Sequence, residues 1–147
     1  MKIFGLRWPL TVAAALAVAI VGVLVLLVDV IPPRSMTVNR IRFTAGRILE
    51  FAKVHNRLPA SLLELPARKG YDNETTDGWG CDILYEVKPD GMVSLTSYGR
   101  DRRPGGGGED ADCVGTFNPR GQDGTWRDQL EWAHESWEKA NMTTTEP

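Results

Sequence analysis

Four carboxylates, Asp101, Glu109, Asp110 and Asp112, lie within Ser97 to Cys113, SYGRDRRPGGGGEDADC, on either side of four consecutive glycines, Gly105 to Gly108. Four adjacent glycines lose too much backbone entropy and offer too little to pack for a helix or a strand interior, so the stretch is a loop. Acids at both ends of such a loop can converge on one point, where they repel unless a hard cation sits between them. Calcium suits that arrangement best, because it accepts six to eight oxygens in flexible geometry and takes backbone carbonyls as readily as carboxylates. A solvated acidic loop has the same composition, and the residues alone leave both readings open.

Other chemistries for this loop fit less well. A phosphate cradle needs Gly-Lys-Ser or Gly-Lys-Thr after the glycines, and Glu109-Asp110 would repel phosphate. An EF-hand is excluded by spacing, and a single copy of a Gly-Gly-x-Gly-x-Asp unit cannot stack into a calcium-binding roll. Nor is there an enzyme signature: no Ser-His-Asp ordering, no His-Glu-x-x-His and no nucleophile elbow occurs. His55 and His134 read as helix-end and surface residues. The sequence therefore predicts no catalytic site and no small-molecule substrate.

The elements that must hold the loop follow from composition and periodicity. Of the 147 residues 42% are hydrophobic, and many of these are spent on Leu10–Val28, an uncharged run. That run is about 28 Å long as a helix, enough to cross a bilayer core. It is bracketed by Pro9 and Pro32-Pro33. No small-x-small cleavage site follows, which favours an uncleaved anchor over a secretory leader.

The net charge of −2 conceals an asymmetry: residues 34–70 carry eight Lys or Arg against Glu50 and Glu64, whereas residues 71–147 carry sixteen acids against seven bases. No basic surface dominates the distal part, which argues against nucleic acid as a partner. Arg34, Arg40, Arg42 and Arg47 after the span argue for a cytoplasmic domain. The calcium-type loop and the two cysteines argue for an external one, and the external side is the reading adopted.

A helix is expected over about Met36–His55, where Val38, Ile41, Ala45, Ile48, Leu49 and Ala52 form one stripe between faces carrying Arg40, Arg47 and Lys53. Asn56-Arg57-Leu58-Pro59 ends it. In Asp77-Gly78-Trp79-Gly80 the glycines permit a tight turn with the indole pressed into the core. Ile83–Val87 and Met92–Ser97 flank Pro89-Asp90-Gly91 as a hairpin. Cys81 and Cys113 are expected to pair, closing a loop of about 31 residues and contributing about 3 to 4 kcal/mol in the chain-entropy model. A last helix is expected from Asp123 or Thr125 to about Ala140, with Trp126, Leu130, Ala133 and Trp137 on its stripe and Trp132 exposed as an anchor for a partner.

The ordered series RLP-SL-EL from Arg57 to Leu65, DGWG with Tyr85 beyond it, and SYGRDRRPGGGGEDAD from Ser97 to Asp112 resembles the globular part of the major pseudopilin of type II secretion systems, over roughly residues 45–113. The resemblance implies an α+β domain: a helix on a small antiparallel sheet of three strands, with a structural calcium in the loop after the second strand. It further implies carboxylate ligands at Asp101 and Asp112 and backbone carbonyl ligands at Tyr98 and Arg103, with Asp110 as a further carboxylate peculiar to this chain. The prepilin-peptidase pattern is missing, since Gly5 is followed by Leu6-Arg7-Trp8-Pro9 and no Glu lies early in the span.

The expected organisation is a short cytoplasmic N-terminus (1–8), a transmembrane helix (9–31), a pseudopilin-like domain (36–117), a C-terminal helical extension (118–141) and a disordered tail (142–147). The expected protein is a single-pass component of the inner, cytoplasmic membrane with its domain on the periplasmic side, working with other secretion-system or envelope proteins. An envelope binding module that reuses the fold without a secretion role is the alternative.

Overall fold

The computed structural model describes residues 12–15, 17–19 and 31–137. The chain divides into two compact units, Met1–Ile31 and Pro32–Pro147. In the first, residues 12–15 and 17–19 are helical. Ile31, the last residue of the expected transmembrane helix (9–31), is described and is not helical; the rest of that helix, the N-terminus (1–8) and the tail (142–147) lie outside the described residues. Among those described, no helix is long and apolar enough to cross a membrane.

The second unit is α+β. Its helix, α1, runs over Pro33–His55, starting earlier than the sequence suggests. Pro33 occupies the first turn, where a missing N–H costs nothing, and its fixed φ already suits a helix. Thr37 Oγ1 donates to the Pro33 carbonyl at 2.8 Å and accepts from the Gly78 N–H at 2.8 Å, tying the start of α1 to the turn at 77–80. Asn56 ends the helix in the left-handed conformation, φ 53°, one of the few non-glycine side chains that tolerate it.

A four-stranded antiparallel meander lies against α1: β1 (Leu84–Val87), β2 (Val93–Ser97), β3 (Cys113–Phe117) and β4 (Trp132–Glu135), in that order. The β1–β2 hairpin forms as expected, with the Lys88 N–H on the Met92 carbonyl at 2.8 Å and Gly91 at φ 82°. Ile41, Ala45, Ile48, Leu49 and Phe51 of α1 pack against Val93, Leu95, Cys113 and Phe117, with Leu62, Leu65, Ile83 and Trp137 closing the sides. Alternation decides which strand residues do this, because successive side chains point to opposite faces.

Two expectations about elements are corrected. The sheet has a fourth strand, and residues 118–137 do not form the expected C-terminal helix. Asp123 Oδ1 accepts from the Thr125 N–H at 3.0 Å, Arg120 bridges Trp126 across a turn, and β4 then pairs with β3. The physical reason is the outer edge of β3. Its main-chain groups at Val114 and Thr116 need partners, and the Ser136 N–H reaches the Val114 carbonyl at 3.0 Å. The three- and four-residue spacing of Trp126, Leu130, Ala133 and Trp137 is coincidental. A register shift between Thr116 and Phe117 brings Trp132 over the same patch as Trp137.

Two arginines on the faces that flank the apolar stripe of α1 act as internal clamps. Arg47 is buried, donating to the carbonyls of Asn73 at 2.9 Å, Leu65 at 3.1 Å and Pro66 at 3.3 Å. Arg40 reaches Asp72, Glu74 and the carbonyls of Thr76 and Asp77. Together they hold the irregular segment 65–77 to the helix.

Candidate functional site

The loop between β2 and β3 is positioned from below by Asp77. This carboxylate is buried and saturated: Oδ1 accepts from the Trp79 N–H at 2.9 Å and the Cys81 N–H at 2.8 Å, and Oδ2 from Ser97 Oγ at 2.7 Å. The turn at 77–80 therefore buries its Asp and leaves Trp79 half-exposed, the reverse of the expectation that the indole is pressed into the core.

Above Ser97 the chain crosses itself. The Arg100 N–H donates to the Glu109 carbonyl at 3.0 Å. Gly99 (φ 68°) and Gly106 (φ 86°) press against Asp110, whose carbonyl oxygen lies 2.8 Å and 2.5 Å from where their Cβ atoms would stand. Only glycine fits both the left-handed backbone and the gap. From the helix side, Arg34 donates one guanidinium nitrogen to the carbonyls of Gly108 at 3.1 Å and Ala111 at 2.9 Å.

The candidate ligands have different surroundings. Asp101 is exposed, and its Oδ1 accepts from the Arg103 N–H at 3.0 Å. Asp112 Oδ2 accepts from the Gly105 N–H at 3.0 Å, while its Oδ1 is buried with no hydrogen-bond partner. The carbonyls of Tyr98 and Arg103 accept no hydrogen bond among the described residues. Asp110 is committed elsewhere. Arg100 grips both of its oxygens, Nε to Oδ1 at 2.9 Å and the second nitrogen to Oδ2 at 3.2 Å, and also pairs with Glu109 at 3.2 Å. The bond from Asp110 is the main reason the Arg100 pKa moves up. Among the described residues no three His, Cys, Asp or Glu side chains converge as a metal site.

The residues present fit calcium in part. A buried carboxylate oxygen without a partner is costly unless a cation or donor reaches it, so Asp112 Oδ1 fits a hard cation. Asp101 and the two carbonyls add oxygens of the right type. Asp110 does not fit, because a metal would first have to displace a bidentate guanidinium.

Cys81 and Cys113 are free thiols, so the expected bridge is not formed here. Asp77 provides the fastening assigned to it, since it binds the Cys81 N–H and also Ser97, the cross-strand neighbour of Cys113. Burial pushes the Cys113 thiol pKa up, which leaves it protonated and unreactive.

Asp77, Arg34, Arg40, Arg47 and Arg100 were missed as positioning residues. Only Asp77 carried a sequence signal: an Asp opening a Gly-rich turn bonds main-chain N–H groups two residues on.

A helix on an antiparallel sheet with a glycine-rich acidic loop over one end defines a small α+β domain whose chemistry is structural in kind: a buried acid, arginine clamps and turn geometry. Type II secretion system core protein G of Xanthomonas campestris pv. campestris is 33% identical to the chain over 89 residues, covering 53% of this chain and 62% of that protein. That similarity supports a pseudopilin-like relationship. The chain thus spans somewhat less than two thirds of that relative's length. No family model matches the chain, and no solved structure does.

Proposed function

We propose that this chain is a membrane-anchored, calcium-stabilised, pseudopilin-like structural component of a type II secretion-like assembly. The observation that carries the reading is the 33% identity over 89 residues to a type II secretion system core protein. The uncharged run Leu10–Val28 supports the anchor. The partnerless buried Asp112 Oδ1 supports the metal.

Asp112, Asp101 and the carbonyls of Tyr98 and Arg103 would hold the ion. Calcium there would remove repulsion between acids and add its binding free energy to that of folding. The partners are other envelope proteins of such an assembly, met on the periplasmic side.

The test is cross-linking in intact cells followed by extraction of membranes with detergent. Recovery in the inner-membrane fraction cross-linked to secretion-system proteins is expected. Recovery from the soluble fraction, or from membranes with no such partner, overturns the assignment. The altered residues after Gly5 favour a second reading, an envelope binding module outside any secretion machine. An intact mass showing cleavage at Gly5 would exclude it.

A further inference from the structure

The free edge of β1 lies apart from the metal loop, and its chemistry is that of an unfinished sheet. Lys88 and Met92 form a hydrogen-bonded pair in the hairpin, and the bonded pairs alternate with non-bonded ones along an antiparallel ladder. With Tyr85 opposite Leu95 and Val87 opposite Val93, the main-chain N–H and C=O groups of Tyr85 and Val87 therefore point away from the sheet. Among the described residues nothing pairs with them.

One step earlier the chain does cover this edge: the Ile83 N–H donates to the Thr75 carbonyl at 2.8 Å, and Thr76 bridges Asp82 in antiparallel sense. The covering segment then leaves. Beside the open part is a cleft of about 320 Å³ lined by Leu62, Leu63, Thr75, Ile83, Leu84 and Tyr85. Leu63 is 91% exposed, and Leu84 and Val87 are 45% and 44% exposed. Asp82 and Leu84 also border this cleft, and along the outer face of the strand Leu84 and Glu86 are followed by Lys88; neither Asp82 nor Glu86 has an ion pair among the described residues.

We propose that the β1 edge binds an extended basic segment of a partner protein, which continues antiparallel to β1 where residues 75–76 stop. Its main chain pairs with Tyr85 and Val87, as in strand addition to other open sheet edges. Residues opposite those two share their face, so an aliphatic side chain enters the cleft. The alternate residues fall on the outer face opposite Leu84 and Glu86, where Lys or Arg meets the acids. Charge complementarity is what selects a basic strand over a neutral or acidic one.

The test uses the full chain in detergent and a fluorescein-labelled peptide, Lys-Val-Lys-Val-Lys-Val. Saturable binding is expected, with the Tyr85 and Val87 amides protected from hydrogen exchange. Glu86→Lys should weaken it about tenfold, as one favourable cross-strand pair becomes repulsive. Val87→Pro should abolish it by removing an outward N–H, a position where an edge strand tolerates proline. N-methylation of the peptide's valines should abolish it with the protein unaltered. Equal binding of Glu-Val-Glu-Val-Glu-Val, unchanged exchange at Tyr85 and Val87, or protection of both amides by self-association without peptide overturns the proposal. None of these outcomes depends on calcium or on a secretion partner.

Discussion

Asp110 and Asp112 are two residues apart and chemically alike, yet their surroundings give them opposite roles. If calcium binds the loop, Asp112→Asn should remove most of the rise in Tm that calcium produces, whereas Asp110→Asn should leave that rise in place and lower Tm equally with and without the ion. Differential scanning fluorimetry with and without a chelator distinguishes them, and a calcium response lost in Asp110→Asn but kept in Asp112→Asn would reverse the assignment. Asp77→Ala should cost about 3 kcal/mol in urea denaturation, because it leaves the Trp79 and Cys81 N–H groups and Ser97 Oγ without their acceptor. Tyr85 offers a pH test. Burial, and secondarily Glu64, push its pKa up to about 12, above the value of about 10 for an exposed tyrosine. The folded state thus holds the proton more tightly than the unfolded chain. Its contribution is intact below pH 10 and is lost as pH climbs toward 12. Tyr85→Phe should flatten that part of the stability curve relative to the parent protein.

At the scale of elements, the instructive piece is β4. Gly115 on β3 leaves a gap into which both indoles fit: a Cβ there would stand 2.5 Å from Trp132 and 2.6 Å from Trp137. Trp132 is edge-on to Phe117 and to Trp137, with ring centroids 5.6 Å and 5.3 Å away, and Arg42 lies over Trp137 at 5.5 Å. Trp132 is therefore part of the packing and not the exposed anchor that helical spacing suggests. Trp132→Ala and Trp137→Ala should each cost about 3 to 5 kcal/mol, and because the rings touch, the double variant should lose less than the sum. Gly115→Ala should cost about 1 to 3 kcal/mol through overpacking. Urea midpoints at unchanged slope would check all of these, and a neutral Trp132→Ala would return that residue to the surface.

Among the described residues the core lies in the second unit, where α1, the 3-10 turn at Leu62–Glu64 and all four strands contribute to one cluster. A fragment comprising residues 32–147 should accordingly unfold in a single transition with a Tm within a few degrees of the full chain. A broad or biphasic transition would show that residues before Pro32 complete the fold. Local pattern was enough for α1, whose apolar stripe repeats at helical spacing, for the hairpin, whose Pro-Asp-Gly turn stands between two alternating runs, and for the loop, because glycines in series can do nothing else. These signals are carried by residues close together in the chain. The fourth strand, the burial of Asp77 in place of Trp79, the capture of Asp110 by Arg100 and the clamps made by Arg34, Arg40 and Arg47 depended on which main-chain groups were left without partners once the sheet had formed. That need arises between segments far apart in sequence, so only the tertiary structure could settle it.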